Sequence, residues 1–136
     1  MGNTESHIHT ANFDDIKMNK HFLINVMDSS DQQILIKGTL TIDAEVETIN
    51  SVLSNATQSK TTVIIYGKNT DDLPAVIKRY RQLRGLGFNA FVYLGGLFEW
   101  LLLQEIYGLS EFAIENPTNA KIDVLKFQPR RLLMND

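Results

Sequence analysis

The chain has 136 residues, a length that suits one domain, with an apolar share of 43%, a charged share of 21% and a net charge of −3. That mildly acidic balance argues against nonspecific nucleic-acid binding, and the absence of any cysteine excludes disulfides, thiolate metal sites and every cysteine-based mechanism. No apolar run reaches the roughly 18 residues of a membrane span, and the polar start does not read as a secretory leader, so no stable membrane insertion and a cytoplasmic location are expected.

Met1-Gly2-Asn3-Thr4-Glu5-Ser6 fits the N-myristoylation pattern through Gly2 and Ser6. One acyl chain with no basic cluster beside it holds a membrane only marginally, and no lipid is expected on Gly2. Residues 1–7 read as loose, and His7 and His9 as solvated side chains, although two histidines on one strand face with Asp14 have metal-ligand chemistry. Asn12 caps a short helix over residues 13–18, with Asp14 and Asp15 in the first turn where carboxylates meet the positive end of the dipole. Residues 22–26 form an apolar run broken by Asn25, which predicts a buried strand of a parallel sheet. A loop follows at 28–31, and residues 34–40 cross to the next element with Gly38 as the turn. Ile42, Val46, Ile49, Val52, Leu53 and Ala56 recur at helical spacing, so an amphipathic helix is expected from 43 or 44 to about 55.

Residues 62–66, four of them β-branched before Tyr66, predict the most buried strand. Residues 67–72 form a loop, and a helix follows from about 73 to 83 or 84, with Val76, Ile77, Tyr80, Leu83 and Leu86 on its apolar face and Gly85 and Gly87 at its end. Its Lys78, Arg79, Arg81 and Arg84 read as a solvated outer face, with an acidic protein as the alternative partner and RNA disfavoured because no aromatic residues are clearly interleaved for base stacking. A strand at 90–94, a Gly95-Gly96 turn and a helix at 97–107 stopped by Gly108 complete the regular part. Beyond 109, Pro117 and Pro129 break the chain into short segments. The β-α-β-α-β-α alternation predicts a parallel sheet covered on both faces, with residues 66–72 at the carboxyl end of a strand, where such sheets hold ligands.

These residues resemble a rhodanese-like domain. In that family a strand ending in Tyr leads to a catalytic Cys that opens a six-residue loop before a helix; here Tyr66 is followed by Gly67, Lys68, Asn69, Thr70, Asp71 and Asp72. The family's "LIDVR" strand is matched by Leu23-Ile24-Asn25-Val26-Met27, and its "HIPGAI" segment by Leu35-Ile36-Lys37-Gly38-Thr39-Leu40. Its "GYxxVYxLxGGxxxW" block fits best, as Gly87-Phe88-Asn89-Ala90-Phe91-Val92-Tyr93-Leu94-Gly95-Gly96-Leu97-Phe98-Glu99-Trp100. The likeness extends to cysteine-free, catalytically inactive versions such as those carried by large DNA viruses. It implies one three-layer α/β/α domain over 1–136, with a central, mostly parallel five-stranded sheet, a core at about 8–107 and an extension at 109–136. For a viral chain it also admits a place within a virion.

Against the family pattern, Gly67 stands where the nucleophile would be and Asp72 where a loop-closing Arg often is; Asn25 and Met27 replace an Asp and an Arg. Sulfur transfer needs a thiolate and groups that hold an anionic donor, and Asp71 and Asp72 place carboxylates there instead. A non-catalytic interaction or regulatory module, without cofactor or metal, is therefore expected. Asp71 and Asp72 read as the cap and first turn of the next helix. An alternative is a small-anion binder or an enzyme that reuses Lys68, Asn69, Thr70, Asp71 and Asp72 without sulfur chemistry. Another is a structural subunit of a larger assembly such as a virion. The 97–107 helix carries more apolar surface than one stripe: Leu97, Leu101 and Ile106 can face the sheet, while Phe98, Trp100, Leu102, Leu103 and Tyr107 need cover from the C-terminal tail or from a partner protein or second copy. Those five and the tail at 126–133 are the expected contact elements.

Overall fold

The computed structural model describes residues 7–130, so the Gly2 pattern and residues 131–133 of the expected tail contact lie outside the described residues. In chain order the elements are β1 (Thr10–Ala11), α1 (Phe13–Lys17), β2 (Phe22–Asn25), β3 (Leu35–Ile36), α2 (Ile42–Ser54), β4 (Thr62–Tyr66), α3 (Leu73–Gly85), β5 (Asn89–Tyr93), α4 (Gly96–Tyr107) and β6 (Ile114–Glu115). The fold is mixed α/β. β1, β5, β4 and β2 lie side by side in that order, each neighbouring pair parallel, while β3 and β6 form a separate antiparallel ribbon.

Alternation along the strands sends successive side chains to opposite faces. On one face Val63 and Ile65 of β4 join Ile24 and Val92 beneath Val76, Tyr80 and Leu83 of α3, with Ile49, Val52 and Leu53 of α2 packed against them. On the other, Ile64 and Tyr66 join Leu23 and Tyr93 beneath Leu97, Trp100 and Leu101 of α4, with Ile16 of α1 and Phe112 and Phe127 of the C-terminal segment. Helices therefore cover both faces, which is why the strands read as nearly continuous apolar runs. Burying each such Val, Ile or Leu side chain is worth about 1.5–3 kcal/mol.

The short α1 is fixed at its start by a reciprocal pair: Asp15 N–H donates to Asn12 Oδ1 at 3.1 Å, and Asn12 N–H to Asp15 Oδ2 at 2.9 Å. Several expectations are corrected. The main sheet has four strands rather than five; beyond β2 there is one parallel bridge, Leu23 to Thr39, with Leu40 N–H donating to Leu23 O. β1 and β6, two residues each, are too short to leave a periodic signal. β5 runs one residue earlier than expected, which leaves Leu94 outside it and exposed. Ile42 and Val46 of α2 are exposed, and the helix packs on the sheet only through the partly buried Ile49, Val52 and Leu53 of its C-terminal half. No helix among the described residues is long and apolar enough to cross a membrane.

Candidate functional site

The loop at 67–72 leaves the carboxyl end of β4, near the centre of the sheet. Tyr66, fully buried, anchors its start. The Tyr66 hydroxyl accepts the Ile36 N–H at 3.1 Å and lies 2.8 Å from Thr39 Oγ1, whose own proton goes to Ile36 O at 2.6 Å; Tyr66 is therefore the donor to Thr39. Burial drives the Tyr66 pKa up, against the two hydrogen bonds, so the phenol stays protonated.

Within the loop, side chains of the loop itself take the backbone donors. Asp72 Oδ2 accepts the Lys68 N–H at 2.7 Å, and Asn69 Oδ1 accepts the Asp71 N–H at 2.7 Å, while Asp72 N–H donates to Asn69 O at 3.1 Å. Asp72 stands at the N-cap position of α3 yet makes no side-chain cap bond there. Capping by the two aspartates is thus corrected: Asn69 caps the 3-10 turn Thr70–Asp72, Asp72 turns back into the loop, and Asp71 Oδ2 accepts the Arg130 N–H at 2.8 Å. The Asn69 amide donates to Phe127 O at 2.7 Å, with Asn69 only 3% exposed. Lys68 Nζ lies 3.7 Å from Asp31 Oδ2. Thr70 is exposed.

Two glycines make this closure possible. A Cβ on Gly67 would meet Asp72 Cβ at 2.5 Å, so position 67 has no room for any side chain while Asp72 points inward. Gly96, at φ +65°, brings α4 so close that a Cβ would meet Gly67 O at 2.5 Å. The first free N–H groups of α4 then fall on the loop: Leu97 donates to Gly67 O at 3.0 Å and Phe98 to Lys68 O at 2.9 Å. The loop carbonyls, not its N–H groups, thus face the helix N-terminus. Asn25 and Met27 are also absorbed into structure. Asn25 Oδ1 accepts the Met27 N–H at 3.0 Å, and Met27 is core.

The Tyr93 hydroxyl is buried near the Glu99 carboxylate, with no hydrogen bond of standard geometry among the described residues. Burial first, then the neighbouring Glu99 carboxylate, push its pKa up, which keeps it neutral. His7 and His9 are exposed and touch edge to face at 4.8 Å; no group of three metal-ligating side chains converges among the described residues. The basic helix is partly structural: Arg79 pairs with Glu45 at 2.7 Å, and Arg84 lies over the Tyr80 and Phe91 rings and donates to Ala90 O at 3.0 Å.

The expected contact surface divides. Trp100 is buried, its indole N–H donating to Ala113 O at 3.0 Å and its ring 5.0 Å from that of Phe112. Phe98 and Leu103 are half-buried against the same core as Ile114, Ile122 and Val124, so much of the cover comes from the chain's own C-terminal segment. Leu102 at 40%, Tyr107 at 61% and, contrary to expectation, Ile106 at 70% remain exposed, continued by Leu109 at 63%. Leu97, Trp100, Leu101 and Gln104 form the inward stripe; Ile106, nine residues after Leu97, falls on the opposite side of the helix. Asn69 as organiser carried a sequence signal, since an Asn side chain in a loop commonly accepts the backbone N–H two residues on. The docking of Phe127 and Arg130 carried none.

No protein-family model and no curated protein sequence matches the chain. Among solved structures it is similar to the BH2092 protein of Bacillus halodurans, with a TM-score of 0.59 and 16% identity over 89% of this chain and 86% of that one. It also aligns with EanB solved in complex with hercynine, with a TM-score of 0.44 and 14% identity over 88% of this chain but only 35% of EanB. The first similarity is one of fold.

Proposed function

We propose that this chain is a non-catalytic rhodanese-like domain that acts through protein contacts. The observation that carries the reading is the closed loop: Gly67 has no space for a nucleophile, and the Lys68 and Asp71 N–H groups are held by Asp72 and Asn69. The parallel order β1, β5, β4, β2, with helices on both faces, supports the rhodanese-like part of the reading. Small-anion binding finds little support, because donors that would cradle an anion are occupied and Asp71 adds negative charge.

The contact surface in this reading is the outer ridge of α4, Leu102, Ile106 and Tyr107 with Leu109, apolar area that monomers seldom leave open. Leu102→Asp with Ile106→Asp tests it. The double variant is expected to fold and to lose the proteins that co-purify with the wild-type chain from its native source. Retention of the same proteins by the folded variant, or thiosulfate-to-cyanide turnover by the pure chain, would overturn the proposal.

A further inference from the structure

Residues 123–130 lie across the 67–72 loop with the contacts of a bound peptide. Asp123 Oδ1 accepts the Leu125 N–H at 3.2 Å and starts a single turn, Val124–Phe127, that carries Phe127 into the core. The buried Asn69 amide then donates to Phe127 O, and three residues on the Arg130 N–H donates to Asp71 Oδ2. Both loop contacts read backbone groups, so they suit any segment that follows the same turn; the aromatic anchor is what selects sequence. Among residues 116–130, Phe127 is the one buried side chain, and Leu125 is 66% exposed. The segment forms no strand pairing after β6. A recess of about 40 Å³ lined by Asp31, Ile34, Lys126 and Phe127 remains beside the anchor. The loop side carries Asp31, Asp71 and Asp72 against Lys68, which lies 3.7 Å from Asp31, and the strap brings Lys121, Lys126 and Arg130 against Asp123, so the two sides have opposite net charge.

We propose that this loop is a peptide-docking cleft, filled at rest by the chain's own strap and open to a basic segment of a partner protein that makes the same turn, with an aromatic residue three positions before the residue whose N–H meets Asp71. The closed form is then a resting state, and the partner competes with residues 123–130 for Asn69, Asp71 and the aromatic pocket. The inference rests on the non-catalytic reading of the loop, but peptide binding is measured without reference to turnover. Sulfur transfer would remove that reading; absent peptide binding would remove only this inference.

The test titrates a fluorescein-labelled peptide of residues 121–130 into the full chain, followed by fluorescence anisotropy. The Phe127→Ala and Phe127→Leu variants, whose own strap is weakened, are expected to bind it at least tenfold more tightly than the wild type. Adding Asp71→Ala, or replacing the peptide's Phe by Ala, is expected to weaken that binding at least fivefold. Phe127→Leu keeps the core filled should Phe127→Ala fail to fold. Folded variants that bind no more tightly than the wild type, or binding indifferent to both changes, would overturn the proposal. So would a wild-type dimer in light scattering that is lost with Asp71→Ala, since the occupant would then be a second copy's strap.

Discussion

At Gly67, the missing methyl group is a steric requirement of the closed loop. Gly67→Ala sets a Cβ 2.5 Å from Asp72 Cβ, an overpacked contact expected to cost about 1–3 kcal/mol in urea unfolding. Removing the opposing carbon with Asp72→Gly in the same chain is expected to recover part of that loss, a non-additivity that independent positions would not show. Gly67→Cys is accordingly expected to destabilise the chain without giving sulfur transfer. A second residue-scale expectation concerns His21, which lies in a crevice with Thr62, Ile64 and Phe91. Burial lowers its pKa below the ordinary 6.5, with Asp15 opposing in part. The unfolded chain therefore binds a proton more readily, and stability falls as pH drops through 6.5 towards the lowered folded value. Denaturant midpoints measured across that window should fall less in His21→Gln than in the wild type.

The α4 helix shows how one element serves the core, the loop and the surface. Leu101→Ala, on the inward stripe, is expected to cost about 2–5 kcal/mol, whereas Ile106→Ser, on the outer ridge, should stay within about 0.5 kcal/mol. Equal costs at the two positions, measured by chemical denaturation, would contradict the assigned orientation. Strong local patterns made most elements legible in the sequence: the β-branched run of β4, the Asn12 cap of α1, the glycines that end α3 and α4. Helical periodicity alone misplaced Ile42, Val46 and Ile106, because α4 is apolar nearly all round and α2 packs only through its second half. β1 and β6 form by pairing with partners distant in sequence, which no local window records.

Across the whole molecule, the unforeseen part of the candidate site is its long-range part. Lys68, Asn69, Asp71 and Asp72 were legible as a loop with unusual chemistry, but the loop is also held by contacts nearly sixty residues away, the Asn69 amide to Phe127 and the Asp71 carboxylate to Arg130. The fold thus retains a strand–loop–helix corner at the carboxyl end of a parallel sheet and fills it with its own atoms. The most direct measurement of that claim is a titration of the ¹⁵N-labelled chain with thiosulfate and with phosphate, read at the backbone amides of Lys68, Asp71 and Asp72. The account predicts that these resonances stay in place at millimolar anion, because Asp72 and Asn69 hold the Lys68 and Asp71 donors and the Asn69 carbonyl holds that of Asp72. Saturable shifts confined to those amides and abolished by Lys68→Ala would show an open anion site and contradict it.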